Sequence, residues 1–180
     1  MSLWALAGCA TAPEPEIVKS PQQAAAEFLP KVEAALSGLA LDVKSYRVRL
    51  RRCAGRRAET REDLFQVWVL LHHARSHADD AAEVVDAARE RWLAKGWKIS
   101  YYNPRENGGP NLAVRDAQDN VYRLRAGFLR APPSALAGTY DTRCMKSPEG
   151  AVPFGDYAPA AGVACEEPRC FAPAAPADGS

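Results

Sequence analysis

The chain has 180 residues, enough for one domain with a substantial core and too few for two of ordinary size. Its 23 Lys and Arg against 22 Asp and Glu leave a formal charge of +1, which argues against a nucleic-acid binder needing a strong electrostatic footprint. Arg far outnumbers Lys, and the middle of the chain mixes polar and apolar residues as a globular domain does, while both ends do not.

The first segment reads MSLWALAGCATAPEPEIVK. Leu6-Ala7-Gly8-Cys9 resembles the lipobox of bacterial lipoproteins, in which small residues precede a cysteine that receives diacylglycerol on its sulfur and becomes the mature N-terminus. Small residues fit the narrow peptidase groove, and the thiol is needed for the thioether. A full signal peptide also has a basic start and an apolar run of about 7–15 residues. Only Ser2-Leu3-Trp4-Ala5-Leu6 stands between Met1 and the site, so residues 1–19 are expected to be a truncated signal peptide with its lipobox, followed by a flexible tether. The tether, ATAPEPEIVK, is rich in Pro and Glu and has no apolar periodicity. The resemblance implies a small surface lipoprotein of the high-GC Gram-positive type, anchored by Cys9 on the outer face of the cytoplasmic membrane. It further implies a binding or regulatory role there, such as modulation of a membrane sensor of envelope stress.

Ser20-Pro21 opens the first helix, with Ser as N-cap and Pro at the first helical position. Phe28, Val32 and Leu36 recur on one face and Gly38 stops it, while Pro30 is expected to kink or split it. In KSYRVRLRRC, Tyr46, Val48 and Leu50 alternate with Arg47, Arg49 and Arg51, the pattern of a half-buried strand over 44–53. LFQVWVLLH, 64–72, reads as a more central strand. Ser76 with Asp79 has the spacing of a capping box for a second helix, whose apolar stripe is Ala81, Val84, Val85, Ala88 and Trp92 and whose end is Gly96. WKISYYN, NLAVRDA and NVYRLRAGFL follow as a meander, and 137–144 closes the body. The order α-β-β-α-β-β-β-β predicts an α+β domain over 20–144. Its antiparallel sheet has about five to six strands, with two helices packed on one face. From Met145 the composition turns to Pro, Ala and Gly, the pattern of an irregular tail over 145–180.

With Cys9 set aside for lipid, Cys53, Cys144, Cys165 and Cys170 remain, an even number suited to an exported, oxidised domain. Four cysteines allow three pairings. Cys53 and Cys144 each end an expected strand, which favours Cys53 with Cys144 and Cys165 with Cys170. No zinc-ligand spacing is present.

Three features bear on function. Arg47, Arg49, Arg51, Arg123 and Arg125 alternate along two strands and line one sheet face if those strands are neighbours. Such a stripe ordinarily keeps a sheet face solvated and guards it against edge pairing. Read for chemistry, it is a candidate anion-binding surface, since guanidinium forks match phosphate and carboxylate on lipid headgroups, wall polymers or an acidic partner. His72, His73 and His77 cluster near the second helix and are the residues an exported hydrolase or metal-binding protein would use. His72 and His73 face opposite ways on a strand, so they do not converge on one ion, and no metal or other cofactor is assigned. The aromatics Trp68, Trp92, Trp97, Tyr101 and Tyr102 are expected in the core. Nucleophile elbow, phosphate loop, dinucleotide fingerprint and zincin motif are all missing, so an envelope-facing binding module is favoured over an enzyme.

Overall fold

The computed structural model describes residues 17–54, 59–76, 80–106, 109–126 and 135–156. Cys9, His77, Asp79, Cys165 and Cys170 therefore lie outside the described residues.

Helix α1, Pro21–Leu36, begins where Ser20 accepts a hydrogen bond from the Gln23 backbone N–H at 3.2 Å. It runs unbroken through Pro30, which lies on its exposed side, and turns at Gly38 with φ of 75°. Strands β1, Leu41–Ala54, and β2, Thr60–Ser76, form a long hairpin whose pairing extends from Leu41↔Ser76 to Arg52↔Phe65 and, past a register shift, to Ala54↔Thr60. Ser76 thus ends β2 instead of capping the second helix. Asp80 takes that role for α2, Ala81–Ala94, by accepting from the Ala82 N–H at 2.8 Å. The meander follows as β3, Lys98–Glu106; β4, Gly109–Arg115; β5, Val121–Ala126; and β6, Leu136–Asp141.

Among the described residues the sheet has eight strands, more than the expected five to six. The additional two are β7, Met145–Lys146, and β8, Gly155–Asp156, which pair with β2 and β1. They come from the start of the segment read as an irregular tail. Two-residue strands carry no periodicity, and non-local backbone pairing holds them. The Ser147 N–H donates to the Asp63 carbonyl at 2.8 Å and the Val152 N–H to the Glu62 carbonyl at 2.9 Å, while Met145, Ser147 and Val152 are buried. Ile17–Lys19 run beside β7, with the Lys19 N–H on the Lys146 carbonyl.

The order is β3-β4-β5-β6-β2-β1-β8, with β7 beside β2 and every named strand pair antiparallel. Both helices cover one face, giving an α+β sandwich of two layers. Phe28, Leu29, Val32, Val84, Val85 and Trp92 pack there against Val48, Leu50, Val67, Val69, Leu112, Val114 and Leu124. Tyr122 stands at the centre: its ring stacks on Trp97 with centroids 4.3 Å apart and meets Trp92 and Phe28 at 6.1 Å. Trp92, fully buried, donates its indole N–H to the Ala35 carbonyl at 3.0 Å, so α2 satisfies an orphan acceptor at the end of α1. No described helix is long and apolar enough to cross a membrane.

Cys53 and Cys144 are joined as a disulfide, with Cα atoms 6.1 Å apart. The strands they were expected to tie are not neighbours. β1 lies on one side of β2 and the β6–β7 segment on the other, so the bridge links the two flanks of β2.

Candidate anion-binding groove

Two helices on one face leave the other face of the sheet to its alternate side chains. Because β1 and β5 are separated by β2 and β6, the arginine stripe does not form as a continuous patch. One register line across the sheet runs Arg49, Trp68, Asp141, Val121, Arg115, and the next runs Arg47, Leu70, Thr139, Arg123, Ala113. Between the flanks lies a groove of about 670 Å³. Arg51, Arg115, Arg123 and Arg143 line it together with Asp119 and Asp141, four guanidinium groups against two carboxylates. Trp68, Gln66, Val121, Thr139 and Thr142 make up the rest of its lining with Cys144.

Asp141 organises the centre. It is buried, and Arg123 pairs with its Oδ2 from the neighbouring strand. Arg51 reaches it from β1, two strands away, passing over the Trp68 ring at 5.3 Å and placing Nη1 3.7 Å from Oδ1. Both arginine side chains are about half exposed, at 54% and 45%, against 10% for Asp141. On the far rim Arg115 pairs with Asp119 at 3.2 Å. Asp119 has φ of 67° in the β4–β5 turn, held there by Asp116, whose carboxylate accepts from the N–H groups of Gln118 and Asn120 and from the Tyr122 hydroxyl. That charge and above all burial push the Tyr122 hydroxyl far above its ordinary pKa.

Arg143 is placed by a local irregularity. The Val67 N–H donates to the Thr142 hydroxyl at 2.9 Å, and Phe65 pairs with Met145, so the chain takes three steps where β2 takes two. The extra residue swings Arg143 and Cys144 to the groove, as bulges beside sites commonly do. Arg143 is exposed, and among the described residues no carboxylate lies in ion-pair range of it.

Of the five arginines singled out in the sequence, the fold brings Arg51 and Arg123 together on one carboxylate. Arg49 turns instead to Asp156 on β8 at 2.9 Å, and Arg47 and Arg125, each engaged elsewhere, do not line the groove. Arg115, Arg143, Asp141 and Trp68 were not recognised as members. Trp68 was expected in the core, yet Val67 and Val69 are fully buried on the helix side, and strict alternation sends Trp68 to the other face. Tyr101, also expected in the core, is 45% exposed on β3, whereas Trp92 is buried as expected. His72 and His73 occupy successive positions on β2. Among the described residues no group of three or more His, Cys, Asp or Glu is arranged to hold a metal ion. No protein-family model matches this sequence, and neither a curated protein nor a solved structure is significantly similar to it.

Proposed function

We propose that this chain is a membrane-anchored extracytoplasmic lipoprotein, held by a lipid on Cys9 at the outer face of the cytoplasmic membrane. Its domain acts as a binding or regulatory module and not as an enzyme. The ligand is an anionic component of the envelope, presenting carboxylate or phosphate to the open sheet face. The observation that carries the reading is the excess of guanidinium over carboxylate lining the groove, with Arg143, among the described residues, in ion-pair range of no carboxylate. Guanidinium groups bind such oxyanions through paired N–H donors, and a concave wall concentrates the field they create. The disulfide between Cys53 and Cys144 fits an oxidising compartment.

Two experiments test the two halves. Intact mass and detergent partitioning of the chain expressed with its upstream sequence, beside Cys9→Ala, should show a diacylglyceryl mass that the variant lacks. A soluble, unmodified wild-type chain refutes the anchor. Titration calorimetry of the full chain with soluble polyanions should show salt-sensitive binding that Arg115→Ala/Arg143→Ala weakens by about tenfold or more. Binding that the double substitution leaves unchanged refutes the groove as the site.

A further inference from the structure

The groove is not built as a site for a bare anion. A pure oxyanion site needs donors alone, yet the floor here is a carboxylate, that of the buried Asp141. Arg123 satisfies its Oδ2, while Oδ1 is buried and, among the described residues, has no hydrogen-bond donor, Arg51 standing at 3.7 Å and so beyond hydrogen-bond reach. An anion that draws the half-exposed Arg51 outward removes the guanidinium that stands nearest Oδ1 in the ion pairs of the described residues. Leaving a buried carboxylate oxygen with neither a donor nor that nearby cation is costly, so a ligand that takes Arg51 is favoured if it brings a donor of its own to Oδ1.

We propose that the ligand is an anionic carbohydrate, a saccharide carrying carboxylate or phosphate, whose hydroxyl donates to Asp141 Oδ1 while the arginines hold the charged group. This inference rests on the anion-binding reading given above and specifies its substrate class. A hydroxyl is favoured over an ammonium as the donor because the surrounding lining carries an excess of positive charge. Neutral hydrogen-bonding side chains, Thr139 and Gln66, share the lining, as polyhydroxylated ligands require. The Thr142 hydroxyl accepts from the Val67 N–H, which leaves its own proton free to donate. Trp68 adds a flat apolar surface beneath Arg51. An acidic peptide fits less well. The groove lies on the face of paired strands, where backbone groups are already bonded across the sheet, so a peptide backbone finds no strand edge to extend.

The test compares three four-unit ligands at constant ionic strength: tetragalacturonate, tetraphosphate and tetraglutamate. Calorimetry on the full chain should give an affinity for tetragalacturonate about tenfold above the other two, the scale of one added hydrogen bond to a charged group. Asp141→Asn removes a negative charge, so a simple anion should bind the variant more tightly, whereas the saccharide should lose its advantage. Thr139→Val, which keeps the charge, should weaken tetragalacturonate alone. If tetraphosphate or tetraglutamate binds wild type as well as the saccharide does, or if Asp141→Asn tightens all three alike, the carbohydrate assignment falls and anion binding stands. If none of the three binds, both fall.

Discussion

Removing the Cys53–Cys144 bridge is the most quantitative perturbation available. The two residues are 91 positions apart, so the cross-link closes a loop spanning most of the folded domain. The chain-entropy relation gives about 15.5 cal/mol/K for a loop of this length, or about 4.6 kcal/mol at 25 °C, lost when the bridge is cut. Domains of this size hold only about 5–15 kcal/mol in total. The variant Cys53→Ala/Cys144→Ala should therefore be folded but marginal, with a second, smaller penalty because Cys53 is buried. Urea unfolding followed by tryptophan fluorescence reads both consequences. The midpoint should fall steeply, and the slope should rise because the open unfolded chain exposes more surface than the cross-linked one. Both chains are compared in a Cys165→Ser/Cys170→Ser background so that only one bridge changes. A loss under about 1 kcal/mol with an unchanged slope would refute the reasoning, since it would mean that the cross-link does not restrict the unfolded chain.

Gly138→Ala should destabilise by about 1–3 kcal/mol in the same assay, because a Cβ there comes within 2.6 Å of Leu71 Cδ1 and 2.9 Å of the Tyr140 hydroxyl in a packed core. Stability should fall as pH rises above about 10, where the unfolded chain ionises its tyrosines while the folded chain keeps Tyr122 protonated. Tyr122→Phe should flatten that limb without abolishing it, because burial raises Tyr140 as well, and should cost about 1 kcal/mol at neutral pH for the lost bond to Asp116. At the acid end, Asp63 is held below the usual carboxylate range by the hydrogen bonds from Arg61, at 2.6 and 2.9 Å. Its contribution is present above the unfolded value of about 4 and is lost as pH falls through the lower folded one. Asp63→Asn should therefore lower stability at pH 7 and shrink the acid-induced drop below about pH 4, as measured by thermal melts. A steeper drop in the variant would overturn this.

The parts of the fold legible in the sequence were those set by local stereochemistry. Ser20-Pro21 begins α1 and Gly38 ends it at positive φ, and the alternation Val48, Arg49, Leu50, Arg51 sorts β1 correctly onto two faces. What escaped depends on partners distant in the chain. His72–Ser76 has no strand-like pattern of its own but continues β2 because Leu41–Ser45 pairs with it. β7 and β8 exist only through their bonds to β2 and β1. In the candidate groove, Arg51 and Arg123 were visible as alternating charges, whereas the carboxylate that joins them was not. Asp141 stands 90 positions from Arg51, and nothing local marks it as their meeting point. Arg143 owes its place to one extra residue opposite β2, a feature of register and not of composition.

The arrangement around Asp141 also explains why an arginine-rich sheet face is compatible with a stable domain. Several guanidinium groups on one face repel one another, and a face that existed only for solubility would gain most from charges that stay fully hydrated. Here one carboxylate is instead buried among them, at a desolvation cost that a purely solvating surface has no reason to bear. Arg51 extends across a whole strand toward it, over the Trp68 ring. Arg115 likewise meets Asp119 in a turn that holds a non-glycine residue at positive φ. The pairings of Arg123 and Arg115 hold those two side chains on the floor and the rim of the same groove, while Arg51 stays half exposed. In the anion-binding reading proposed above, ordering of this kind, spent before a ligand arrives, lowers the cost of binding it.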